Sequence, residues 1–120
     1  MGRIVRTLST DGSILAIGID TTDVVARAEQ IHKTSAVVTA ALGRMLTAAS
    51  MMGSLLKGDK DTLTLRINGK GATGTVAAVS DSRGNVKGYA VNSVVEIPLN
   101  SKGKLDVGGA VGTDGALTVI

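Results

Sequence analysis

Between Ser35 and Lys57 apolar residues recur every three or four positions: Val38, Leu42, Met45, Ala49, Met52 and Leu56 fall on one side of a helical wheel. The spacing predicts one long helix with that stripe buried. Another side carries only short side chains, Thr39, Gly43, Thr47, Ser50 and Ser54, so a backbone, a sheet or a second helix can approach closely and the helix is expected to be contacted on more than one face. Ser35 offers a capping hydroxyl at its start, and Lys57-Gly58 a cation and a residue able to turn left-handed at its end. Upstream, Val24, Ala28 and Ile31 mark a shorter amphipathic helix from Thr22 to Lys33. It is preceded by the oxygens of Asp20, Thr21 and Thr22 and carries Asp23/Arg27 and Glu29/Lys33 one turn apart.

Elsewhere the period is two. Arg3 to Ser9 and Ser13 to Ile19 read as strands joined by Thr10-Asp11-Gly12, since Asp-Gly supplies the positive-φ positions of a tight hairpin. After Thr62, Leu63, Leu65 and Ile67 alternate with Thr64, Arg66 and Asn68, as a half-buried antiparallel strand requires. Turn residues at Asn68 to Gly71 and at Asp81 to Gly84 separate further strands at Thr75 to Ser80 and Asn85 to Val91. Val95, Ile97 and Leu99 alternate again, with Pro98 marking an edge or an end. Val107 to Gly112 reads as a compact turn, and Leu117 to Ile120 as a last apolar strand that expects a partner, as in a piece of a longer domain. The expected fold is α+β: a largely antiparallel sheet packed against two consecutive helices, in one domain over residues 1–120.

Composition narrows the chemistry. Tyr89 is the only aromatic residue among 120, so base stacking on rings is not available for single-stranded nucleic-acid binding. The 13 basic residues are scattered among 10 acidic ones, and a net charge of +3 spread this way makes a mixed-sign surface rather than a phosphate-tracking one. With no cysteine and one histidine, disulfides, thiol catalysis and the usual zinc ligand sets are excluded within the chain. Met1 to Arg6 has no apolar h-region, and Arg6 stands where a myristoylation signal needs Ser or Thr. Ala36 to Leu56 nearly reaches membrane-spanning length, but Arg44 at its centre and its Ser and Thr residues argue for a buried soluble helix.

No catalytic motif survives its context. Gly69-Lys70-Gly71-Ala72-Thr73-Gly74 has the G-x-G-x-x-G spacing of a dinucleotide fingerprint and underlies a weak alternative reading as a nucleotide-dependent oxidoreductase. The residues that follow are strand-like, whereas the real motif opens a helix, so a hairpin loop is expected. His32 lies at the end of the short helix, where it meets the helix dipole and packed neighbours. Asp59 and Asp61 read as solvated loop charges. Met45 and Met52 belong to the apolar stripe and are expected in the core, while Met51 points elsewhere and is a candidate contact for apolar partners. Arg44, if buried, needs a carboxylate or carbonyl partner.

Taken in order, several segments carry a resemblance: Asp11-Gly12, Thr21-Thr22-Asp23-Val24-Val25, His32, Ala41-Leu42-Gly43-Arg44, Leu55-Leu56-Lys57-Gly58-Asp59, Leu63 to Gly74, Gly84 to Tyr89, Pro98-Leu99-Asn100 and Gly103 to Gly112. Over essentially its whole length the chain resembles the amino-terminal part of the redox-regulated chaperone family of heat-shock protein 33, the 33 kDa chaperonin. Asp20, where relatives often carry arginine, and Ser93, where proline often follows the asparagine, depart from the family pattern. The resemblance implies a cytoplasmic, ATP-independent holdase that binds unfolding client proteins through apolar surface, without enzymatic activity, nucleic acid or membrane as partner, and with a homodimer, strand-exchanged or not, as a plausible assembly. It also implies that the family's four-cysteine zinc module, which masks that surface until oxidised, belongs to a carboxy-terminal region that this chain lacks. A folded remnant or ligand-binding module without chaperone activity is the alternative.

Overall fold

The computed structural model describes residues 3–120; Met1 and Gly2, which open the segment read as lacking an export signal, lie outside the described residues. Two antiparallel sheets and three helices follow in chain order. Strands β1 (Ile4–Leu8) and β2 (Leu15–Ile19) form a hairpin sheet of their own, with Ile4 opposite Ile19 and Leu8 opposite Leu15. Its turn is knotted by Asp11, whose Oδ1 accepts from the Ser9 hydroxyl at 2.6 Å and from the Ser13 hydroxyl and backbone N–H at 2.7 and 3.0 Å. Gly12 takes the positive φ of 76° that the turn demands.

Helices α1 (Thr22–His32) and α2 (Ala36–Gly53) come next, then β3 (Thr62–Asn68), β4 (Val76–Asp81), β5 (Val86–Ala90), the short helix α3 (Val107–Val111) and β6 (Ala116–Val119). The main sheet has the order β5-β4-β3-β6, so the last strand returns to lie beside β3 and both β5 and β6 are edges. Ile120 continues the pairing beyond β6, exchanging two 2.9 Å backbone hydrogen bonds with Thr64. The apolar terminal strand thus finds a partner on one side only. α2 lies across the sheet and carries most of the core: Val38, Leu42, Leu46 and Ala49 pack on Leu63, Leu65, Val76 and Ala78.

The short-residue side of α2 is used as its composition predicts. A Cβ at Gly43 would stand 2.9 Å from Val25 of α1, and one at Gly53 would stand 2.6 Å from the Asp81 carbonyl of β4. Thr47 bonds Thr21 at 2.7 Å, and buried Ser50 donates to the Gly84 carbonyl at 2.7 Å. Gly53 also explains why α2 ends earlier than Lys57-Gly58, the expected stop. The helix abuts β4 there, and Ser54 and Leu55 leave it through a tightened turn with bonds to Ser50 and Met52.

Other expectations are corrected. Val95, Ile97 and Leu99 form no strand; residues 91–106 run as an irregular segment. Its anchor is Ser35, which does not cap α2 with its side chain. The Ser35 hydroxyl accepts from the Val95 N–H at 3.0 Å and donates to the Val95 carbonyl at 3.1 Å, while the Ser35 N–H donates to Ser93 O at 2.9 Å. Val107 to Gly112 contains the helical turn α3, started by Asp106, which accepts from the Gly109 N–H. Met45 packs against the core, but Met52, at the margin of the stripe, is 36% exposed. Among the described residues the only ion pair is exposed Lys70–Asp114 at 3.7 Å, so neither Asp23/Arg27 nor Glu29/Lys33 closes, and Arg44 points to solvent without a carboxylate.

Candidate functional site

The glycine-rich loop that suggested a nucleotide joins β3 to β4 and is filled by protein. Gly71 and Thr73 donate to the carbonyls of Val111 and Ala110 at 3.0 and 3.1 Å, and Asp114 donates to that of Gly69 at 3.1 Å. A Cβ at Gly71 would stand 2.5 Å from the Val111 carbonyl carbon, and one at Gly112 would stand 2.5 Å from the carbonyl carbon of Gly69. The glycines of both segments therefore serve a backbone-to-backbone clasp between the loop and α3. No helix N-terminus faces the loop where a pyrophosphate would need one, since β4 follows.

Charged residues elsewhere are local fasteners. Asp61 accepts from the Gly58 N–H at 2.9 Å and returns its own N–H to the Gly58 carbonyl. Asp81 holds the β4–β5 turn by accepting from the N–H groups of Arg83 and Asn85 at 2.9 and 3.0 Å. Hydrogen bonds from Ser9 and then Ser13 lower the Asp11 carboxyl from 3.8 to about 2; bonds from Thr22 lower that of Asp20, and bonds from Asn85, with lesser help from Arg83, that of Asp81. All three are turn or helix-entry residues at the surface. Among the described residues no three His, Asp or Glu side chains gather as metal ligands. With one histidine and no cysteine, the residues present do not fit a zinc centre.

What the fold does offer is apolar concavity. A groove of about 690 Å³ runs between α1 and the β5 edge. Its walls are Val24, Ala28 and Ile31 from one helix face, Leu46 from α2, and Ala77, Val79, Val86, Gly88 and Tyr89 from the sheet. α1 leans on the body through Val24 and Ala28, which pack against the core, through Val25 against Gly43, and at its start through Thr21 against Thr47, while Ile31 stays exposed over the groove. Asp23, Arg27, His32 and Lys87 form its charged rim. A second groove, about 480 Å³, follows the outer seam of α1 and α2 and is lined by Val25, Ala40, Gly43, Arg44, Thr47 and Met51. Met51, selected from the sequence, therefore lies half-buried in an apolar seam, whereas Ile31, 60% exposed on the larger groove, went unselected as a contact. Further apolar residues stand open on the hairpin (Leu8, Ile14, Leu15) and along β6 (Leu117, Val119). Exposed apolar surface, where it gathers into patches, marks contact with other macromolecules.

Comparison with known proteins agrees with that surface. The 33 kDa chaperonin of Alkaliphilus metalliredigens is 52% identical over 118 residues, and that of Clostridium tetani 48% identical over 118 residues. Each match covers 98% of this chain but 40% of the relative, so the chain spans about two-fifths of the length of these proteins. Among solved structures, the 33 kDa chaperonin (heat shock protein 33 homolog) of Thermotoga maritima superposes with a TM-score of 0.86 at 32% identity, over 98% of this chain and 44% of that one. The family model described as Hsp33 protein matches residues 2–120, and the chain belongs to the Hsp33 family.

Proposed function

We infer that this chain is a chaperone unit that holds unfolding proteins on open apolar surface, with no nucleotide and no chemical step. The observation that carries the reading is the pair of apolar grooves flanking α1, together with large apolar side chains left open on the hairpin and on β6. Family membership and the chaperonin relatives support it. Independence from ATP is supported by the glycine loop, whose approach is taken up by the α3 backbone. Residues 1–120 act as one domain, the amino-terminal part of the chaperone core, around the continuous cluster of α2, the sheet and Ala110.

Met51 contacts clients from the smaller groove. The free edge of β6 is suited to pairing with a second copy, with or without strand exchange. The family's zinc and redox module is assigned to the length by which the relatives exceed this chain. Its place of action is the cytoplasm, in keeping with its lack of cysteine. α2 is long and apolar enough to cross a membrane, but half of it is buried inside the fold, which supports a core role. Light scattering from a thermally unfolding client tests the reading. Aggregation should slow in proportion to added protein and be indifferent to ATP; no slowing at molar excess leaves the inert-scaffold alternative.

A further inference from the structure

We propose that the groove between α1 and β5 takes an extended segment of an unfolded chain as an added strand, one in which apolar residues alternate with acidic ones. This rests on the holdase reading and assigns it a site. At the two ends of the β4–β5 pair, Val91 N–H donates to Thr75 O at 2.9 Å and Asp81 N–H donates to Asn85 O at 3.0 Å. Ladder bonds in an antiparallel pair fall on alternate residues, so they belong to Asn85, Lys87, Tyr89 and Val91. The N–H and C=O groups of Val86 and Gly88 therefore point away from β4, to the free edge of the sheet. That edge is where the groove lies, and Val86 and Gly88 line it. A row of unpaired backbone groups beside an apolar trough is the arrangement that strand addition uses.

The two layers of the groove set the sequence that fits. Side chains of an added strand alternate in direction. Those turned toward the helices meet Leu46, Val24, Ala28 and Ile31, all apolar. Those turned the other way pass Lys87 and Tyr89, which face opposite to Val86 and Gly88 along β5. Arg27 lies on the α1 rim, and neither Arg27 nor Lys87 has a carboxylate within ion-pairing distance among the described residues. Lys87, a free cation on the side turned away from the helices, favours acidic residues at those alternate positions of the occupant, and Arg27 adds to the positive charge of the rim against the single acid Asp23.

The test uses a fluorescein-labelled peptide about eight residues long, alternating valine and glutamate, long enough to cover β5. Its affinity is read by anisotropy for the wild-type protein and for Ile31→Asp, Lys87→Glu and Val86→Pro. Ile31 and Lys87 are exposed, and proline at 86 removes an edge donor without touching the β4 ladder. Each variant should bind about five- to tenfold more weakly, with circular dichroism unchanged. The same peptide N-methylated on its pairing edge should fail to bind wild-type protein, which keeps the test decisive if Val86→Pro does not fold. Peptide affinity equal in all variants, or N-methylation without effect, overturns the proposal. So does loss of self-association in the variants with peptide affinity retained, which would make the groove a contact between copies. Client aggregation separates the two levels: suppression intact in all three variants sinks this site and leaves the holdase reading standing, whereas no suppression by wild-type protein sinks the holdase reading itself.

Discussion

Replacing Ser35 separates two physical roles that one residue can play at the start of a helix. If Ser35 were an ordinary N-cap, Ser35→Asp would be neutral or stabilising, because aspartate caps as well as serine and adds a favourable charge at the helix N-terminus. The structure instead uses the hydroxyl as donor and acceptor toward Val95, at 3.1 and 3.0 Å. Val95 is buried, at 7% exposure, so removing the hydroxyl leaves a buried N–H and a buried carbonyl without their partner. Each such group costs about 1–3 kcal/mol, and Ser35 is half-buried, so water can relieve part of it. We expect Ser35→Ala to lose about 2–3 kcal/mol, near 10 °C in melting temperature for a domain of this size. Aspartate has no proton to donate to the Val95 carbonyl at neutral pH, so Ser35→Asp should lose about as much. Urea unfolding followed by circular dichroism measures both. Ser35→Asp as stable as wild type, or Ser35→Ala within about 0.5 kcal/mol of it, would refute the clamp.

Gly53→Ala should lower stability by about 1–2 kcal/mol in the same assay, although alanine is the better helix former, because its Cβ meets the Asp81 carbonyl, which cannot move aside. Gly71→Ala should open the clasp between the β3–β4 loop and α3, seen as faster hydrogen exchange at Gly71 and Thr73 while α2 stays protected. The carboxyls of Asp11, Asp20 and Asp81 are lowered in the folded state, Asp11 to about 2. Their stabilisation is present above the unfolded value of 3.8 and is lost as pH falls through the folded values. Acid titration of stability should therefore show a decline from about pH 4 toward pH 2 that flattens in the triple Asp-to-Asn variant; an identical slope would show that these turns are not the acid-sensitive elements.

Much of the fold was legible because local pattern and tertiary need agreed. Alternation at Leu63, Leu65 and Ile67 matches the face that meets α2, and the Asp-Gly turn, the β3–β4 loop and the small side of the long helix all fall where their residues predict. The misses come from neighbours that sequence does not reveal. Val95, Ile97 and Leu99 alternate as a strand does, yet Ser35, distant in sequence, holds that segment. Gly53 stops α2 through contact with β4 rather than through its own conformation, and Met52 leaves the core because it sits at the margin of the stripe, turned away from the side on which Leu42, Ala49 and Gly53 meet the sheet. The larger groove was invisible for the same reason: α1 and β5 meet only in three dimensions. Its one advance signal was Ile31, an apolar residue late in a short helix whose remaining face is charged.

The central claim is that open apolar surface is the working part of this molecule, and competition between an environment-sensitive hydrophobic dye and client protein tests it most directly. The dye should bind the native chain and be displaced by an unfolded client but not by the same client folded. Failure of the dye to bind, or bound dye that the unfolded client leaves in place, would contradict the account.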